Sequence, residues 1–283
     1  MFFNVKKLLW KFIQHHQLPT QMDMSIQIKT AAFQSCLLLF LCSCQIGVIE
    51  KRKYDRTNVD LIPVKGDFYV EASIGDATFL NPILATDSAS NDINNLVYNG
   101  LVKYDKNIVL VGDLAESWDI AEGGRVITFH LRKKVRWHDG HPFTSKDVEF
   151  TYKTLISTNT RTAFSSDYLL VKKAETPNSH TFRVTYDKPF APALESWGIG
   201  ILPKHIWEGK DVHEHPANRK PIGTGPYIFK EWVPAEKIVL TSNPDYFLGQ
   251  PYINRYIYRI IPDMSVQFLE LRQGTLSGMS PTP

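Results

Sequence analysis

From Val126 to Trp137 apolar and polar positions alternate. Ile127, Phe129 and Leu131 are set against Thr128, His130 and Arg132, and Val135 and Trp137 resume the alternation after the polar pair Lys133-Lys134. Period two is the signature of a half-buried strand, so this stretch predicts a strand pair. Asp139-Gly140 follows, a dipeptide whose second residue tolerates positive φ and lets the chain reverse. At Thr144 the period changes. Val148, Tyr152 and Leu155 fall on one helical face, Glu149 and Lys153 stand four apart, and Thr144 with Asp147 forms a shortened capping box, which together predict a helix from Ser145 to Ile156.

The same patterns predict strands at Phe68 to Ser73, His180 to Tyr186 and Ile253 to Ile261. Tyr227 to Trp232 and Lys237 to Thr241 read as a hairpin turned at Val233 to Glu236. Helices are predicted at Asn91 to Asn99, stopped by Gly100, and at Ser265 to Gln273, between Asp263 as cap and Gly274 as stop. Strands and helices do not alternate regularly, which indicates an α+β chain rather than a βαβ one.

Residues 1–43 are set apart as an upstream extension and a leader. Val5, Leu8, Leu9, Phe12 and Ile13 beside Lys6, Lys7 and Lys11 have amphipathic spacing, but a start at Met24 yields an ordinary leader: Lys29, then an apolar core from Ala31 to Leu41, too short to span a bilayer. Leu41-Cys42-Ser43-Cys44 looks like a bacterial lipobox, with Cys44 as the lipidated mature N-terminus, and 44–65 reads as a polar tether. Cleavage would leave Cys44 as the sole cysteine, so no intrachain disulfide is expected. Four of the 32 basic and one of the 29 acidic residues lie before Cys44, so the remainder carries equal numbers of each and offers no nucleic-acid surface.

Several blocks in a fixed order resemble the extracytoplasmic solute-binding proteins of the peptide/nickel ABC importers, family 5. They are Leu80-Asn81-Pro82; Ala85 to Ser90 followed by Leu96 to Asp105; Leu114 to Tyr152; Pro203-Lys204-His205-Ile206; Gly223-Thr224-Gly225-Pro226-Tyr227; and Asn243 to Phe247. The resemblance covers about Gly66 to Gly274. It implies the first lobe of a class II periplasmic-binding-protein clamshell: 66–90 and 202–283 as lobe segments, 91–201 as an inserted subdomain, and an end before the second lobe. It further implies delivery of oligopeptides to an ABC permease, which together with the lipobox reads as a membrane-anchored lipoprotein of a bacterial envelope. Asp76, Ala77 and Thr78 match the strand segment that pairs with a bound peptide's main chain. A lobe alone encloses one side of a ligand, so weak binding is expected of it.

Other chemistry finds little support. Gly223, Gly225 and Pro226 fit no phosphate-loop pattern and read as a tight entry into the hairpin. His138 with His141, and His213 with His215, lack the context of a zinc site, so no metal centre or cofactor is assigned; His138 reads as a structural loop residue. Trp118, Trp137, Trp197 and Trp232 are spread over separate elements, as core or rim residues are. With no nucleophile elbow, a hydrolase is not expected. Alternatives to peptide transport are a surface lipoprotein used for interaction or adhesion, and a binder of nickel or another solute within the same family.

Overall fold

The computed structural model describes residues 63–280; the leader, Cys44 and most of the tether lie outside the described residues. A five-stranded sheet has the order β11-β1-β10-β9-β8, built from β1 (Gly66–Ser73), β8 (Tyr227–Val233), β9 (Lys237–Ser242), β10 (Ile253–Ile260) and β11 (Gly278–Met279). β1 runs parallel to both β10 and β11, and the other pairs are antiparallel. An antiparallel four-stranded sheet has the order β4-β5-β7-β6, from β4 (Ala115–Ala121), β5 (Val126–Leu131), β6 (Val171–Asn178) and β7 (Thr181–Tyr186). A small ribbon pairs β2 (Val102–Tyr104) with β3 (Leu110–Gly112). The helices are α1 (Ser88–Val97), α2 (Ser145–Leu155), the single turns α3 (Ser165–Tyr168) and α4 (Lys204–Trp207), and α5 (Met264–Gln273).

The alternation in β5 buries Ile127, Phe129 and Leu131, and Phe182, Val184 and Tyr186 of β7 join them. The predicted face of α2, Val148, Tyr152 and Leu155, is buried in the same core, while Lys153 pairs with Glu149 at 2.7 Å on the outer side. Asp147 Oδ2 accepts the Thr144 amide at 2.8 Å, as the capping box requires. The core continues through Ile93 and Val97 of α1 to Ile238 and Leu240 of β9, so one apolar interior spans both sheets. A smaller cluster of Val70, Ala72, Ile261 and Leu276 packs on the other face of β1. Asp263 caps α5 through the amides of Ser265 and Val266, and Gly274 ends it in the left-handed region at φ 79°. The 227–242 hairpin forms as predicted.

Three expectations need correction. Val135 to Trp137 does not extend a strand pair: Lys134 turns the chain at φ 70°, and Val135 and Trp137 are buried anchors of a turn closed by Trp137 N to His141 O at 2.8 Å and Phe143 N to Val135 O at 3.0 Å. β5 pairs instead with β4 and β7. Helix α1 begins at Ser88, not Asn91, because Asp87 caps it. Gly100 is not its stop, since Tyr98 is the C-cap; a Cβ on Gly100 would lie 2.4 Å from Gly198 O, so close packing demands the glycine.

Candidate functional site

The loop leading from β1 to α1 is built inward. Asp76 Oδ1 accepts from Ala77 N at 2.9 Å and Trp232 Nε1 at 3.0 Å, and its Oδ2 accepts from Ala235 N at 2.8 Å, which ties the loop to the β8–β9 turn. Ala77 is buried. Thr78 is fastened to the start of α1: its amide donates to Ser90 Oγ at 2.9 Å and its hydroxyl donates to Asp87. Asp87 also accepts the Ser90 amide and hydroxyl, each at 2.7 Å; burial raises its carboxyl, but these donors outweigh that and hold it below the ordinary carboxylate range. The Asp76 carboxylate and the Thr78 hydroxyl are therefore committed to protein partners, and the amides of Ala77 and Thr78 are taken. Main-chain pairing with a ligand there rests on the carbonyl oxygens and the Asp76 amide.

Helix α1 presents Asn91, Asn94 and Asn95, spaced as one helical face, and its C-cap Tyr98 to a cleft of about 380 Å³. Phe164, Ser166 and Asp167 stand across it from the 163–168 segment, and Ser196, Gly198 and Gly200 line its third side. Among the described residues of this lining, Asp167 is the sole ionisable acid or base apart from the phenols; the rest of the polar surface is amide, hydroxyl and backbone. Asn94 is buried, its Nδ2 directed at Phe79 O at 3.5 Å, and its Oδ1 has no hydrogen-bond partner among the described residues. The asparagine spacing inside the predicted 91–99 helix was a usable signal. No local pattern pointed to residues 163–168 as the opposite wall.

The Gly223–Pro226 segment fixes α1 from behind. Gly225 N donates to Val97 O at 2.8 Å, and a Cβ on Gly223 would lie 1.8 Å from that carbonyl. His138 locks the same segment: Nδ1 accepts from Gly223 N at 3.2 Å, so Nε2 carries the proton and donates to Gly225 O at 3.0 Å. The imidazole is thus a neutral structural staple, with its pKa lowered chiefly by burial. Because the folded value lies below the ordinary 6.5, the staple contributes fully above pH 6.5 and its contribution fades as pH falls through the folded value. Urea denaturation at pH 7.5 and pH 5.5 should therefore show a larger acid-side loss for the natural chain than for His138→Gln. Equal losses would exclude the staple.

Neither histidine pair weighed from the sequence forms. His138 is occupied as described. His213 Nε2 accepts from Arg161 N at 3.1 Å, whereas His215 accepts from Ala217 N at 3.3 Å and packs on Trp207. His141 instead joins Asp139 and His205. Trp137 and Trp197 are buried in the core, and Trp118 and Trp232 pack against its margin.

The profile for bacterial extracellular solute-binding proteins, family 5 Middle, matches residues 109–283. The oligopeptide-binding protein AppA of Bacillus subtilis is 36% identical over 223 residues, covering 76% of this chain and 41% of its own length. Its structure in complex with a nonapeptide superposes with a TM-score of 0.72 at 34% identity, over 76% of this chain and 44% of that one. NikZ of Campylobacter jejuni, solved in complex with Ni(L-His), gives a TM-score of 0.70 at 32% identity, over 74% and 42%. DppA of Helicobacter pylori, solved with the peptide STSA, gives 0.69 at 30%, over 76% and 46%. The chain thus spans less than half the length of these relatives. Their mixed sheet-and-helix lobe is the α+β fold described above, and the chain belongs to the bacterial extracellular solute-binding proteins of family 5.

Proposed function

We propose that this chain is the proximal lobe, with the β4–β7 sheet as its inserted subdomain, of a lipoprotein that binds oligopeptides and delivers them to an ABC permease in a bacterial envelope. The observation that carries this is the match to two structures solved with peptides bound. The cleft beside α1 agrees with it. A lining of asparagine amides, hydroxyls and backbone suits the N–H and C=O groups that every peptide repeats, and so tolerates any side-chain sequence. In this scheme Asp76, Ala77 and Thr78, which are not among the residues lining that cleft, offer main-chain groups to the peptide beyond it, and Cys44 holds the lipid anchor, the 44–65 tether lifting the lobe from the membrane. The protein does no covalent chemistry; it encloses a solute and releases it.

A peptide held by this chain alone loses water on one side, so affinity is weak and a method sensitive to weak binding is needed. Titration of the 15N-labelled chain with a neutral tripeptide is expected to shift the side-chain amide resonances of Asn91, Asn94 and Asn95 at millimolar peptide. Unmoved asparagine amides would overturn the assignment of the cleft. The nickel–histidine complex in NikZ motivates a second reading, a metal chelate as solute. It predicts that Ni(L-His), rather than the peptide, perturbs the same resonances.

A further inference from the structure

Asp139, His141 and His205 bring one ligand atom each to within 4.8 Å of one another, from two segments far apart in sequence. His205 Nε2 lies 2.7 Å from Asp139 Oδ2, and His141 Nδ1 lies 3.3 Å from Asp139 Oδ1. The two imidazoles are stacked, centroids 4.1 Å apart and planes 19° from parallel, with a nitrogen of each turned to the same carboxylate. The mountings are firm. The turn carrying Asp139 and His141 hangs from buried Trp137, whose ring meets His205 edge-on at 6.3 Å, and α4 is held where Lys204 N donates to Asp147 Oδ1 at 3.0 Å.

We infer that Asp139, His141 and His205 form a surface site for a borderline divalent cation of the zinc, nickel or copper type. Such ions take imidazole nitrogen and carboxylate oxygen at about 2.0–2.2 Å, which sets neighbouring donors roughly 3–4 Å apart, a span side-chain torsions alone can reach here. Magnesium and calcium prefer oxygen donors and are disfavoured. Of the neighbouring cations in sequence, Arg136 is engaged with Gly140 O at 2.9 Å and Lys204 with Glu208 at 3.3 Å. The ion would cross-link the 137–143 turn to α4. The remaining positions stay open to water or to an outside ligand.

Calorimetric titration of the chelator-treated full chain, with Cys36, Cys42 and Cys44 alkylated, tests the site with Zn2+ at pH 7.5. One equivalent is expected to bind, with affinity falling at least tenfold in His205→Ala and in His141→Ala and unchanged in His213→Ala plus His215→Ala. His141 has 59% of its side chain exposed, so that variant should fold normally, and Zn2+ should raise the thermal midpoint of the natural chain but not of His141→Ala. No binding below about 1 mM, or binding that survives in both single variants, would overturn the inference.

Discussion

Trp197→Ala is expected to destabilise the chain by about 3–5 kcal/mol, the usual loss when a large aromatic is removed from a closed core. Trp197 is 1% exposed, and its ring centroid lies 4.9 Å from Phe182, 5.3 Å from Tyr168, 5.9 Å from Phe129 and 6.2 Å from Tyr152. Its indole nitrogen donates to the Tyr186 hydroxyl at 3.2 Å, and its carbonyl accepts from Leu101 N at 2.8 Å. Five aromatic walls from β5, β7, α2 and α3 cannot collapse together into the void, so both the transfer loss and most of the cavity remain. A thermal melt followed by circular dichroism should lose roughly 10 °C, taking about 2–4 °C per kcal/mol for a domain of this size. Trp197→Phe should recover part of the loss. A midpoint within about 3 °C of the natural chain would mean that this aromatic cluster is not the centre of the core. Residues 196–200 also wall the cleft, so loosening this core should blur the site it supports.

Gly223→Ala should cost about 3 kcal/mol, at the upper end for overpacking, because the added methyl meets backbone rather than a pliable side chain. Its Cβ would stand 1.8 Å from Val97 O and 2.6 Å from Val97 C, so either α1 or the 223–226 segment must move. Moving the segment breaks the Gly225-to-Val97 bond and the three His138 bonds, two from the imidazole and one from its amide to Gly223 O; moving α1 shifts the row of asparagines facing the cleft. Gly75→Ala is the matched control, as nothing lies within 4 Å of its added Cβ. Urea unfolding of the two variants separates the effects. If Gly223→Ala proves no worse than Gly75→Ala, the close approach of α1 to this segment is wrong.

Elements with a strong signal inside about ten residues were legible beforehand. The buried alternation of β5 and β7, the capping box and apolar face of α2, the 227–242 hairpin, and the Asp263 and Gly274 bounds of α5 all follow from neighbouring side chains. What escaped lacked that contrast. β4 and β6 are edge strands with few buried side chains, so no sustained apolar alternation marks them, and Val135 with Trp137 alternates correctly yet anchors a turn. The family resemblance was carried by the spacing and order of blocks, which survive in sequence wherever the loops they encode must be kept.

By itself, then, the sequence determined the local elements, the α+β class and the family, because periodicity, caps and turn residues act over a few positions and leave a one-dimensional trace. The tertiary structure decided which residues meet. His138 belongs with Gly223 and Gly225 rather than with His141, His141 belongs with His205, and the asparagine face of α1 becomes a cleft only once residues 163–168 and 196–200 stand opposite it. Those pairings are set by packing a shared core between two sheets, a long-range compromise of volume and hydrogen bonding that no short window of sequence records.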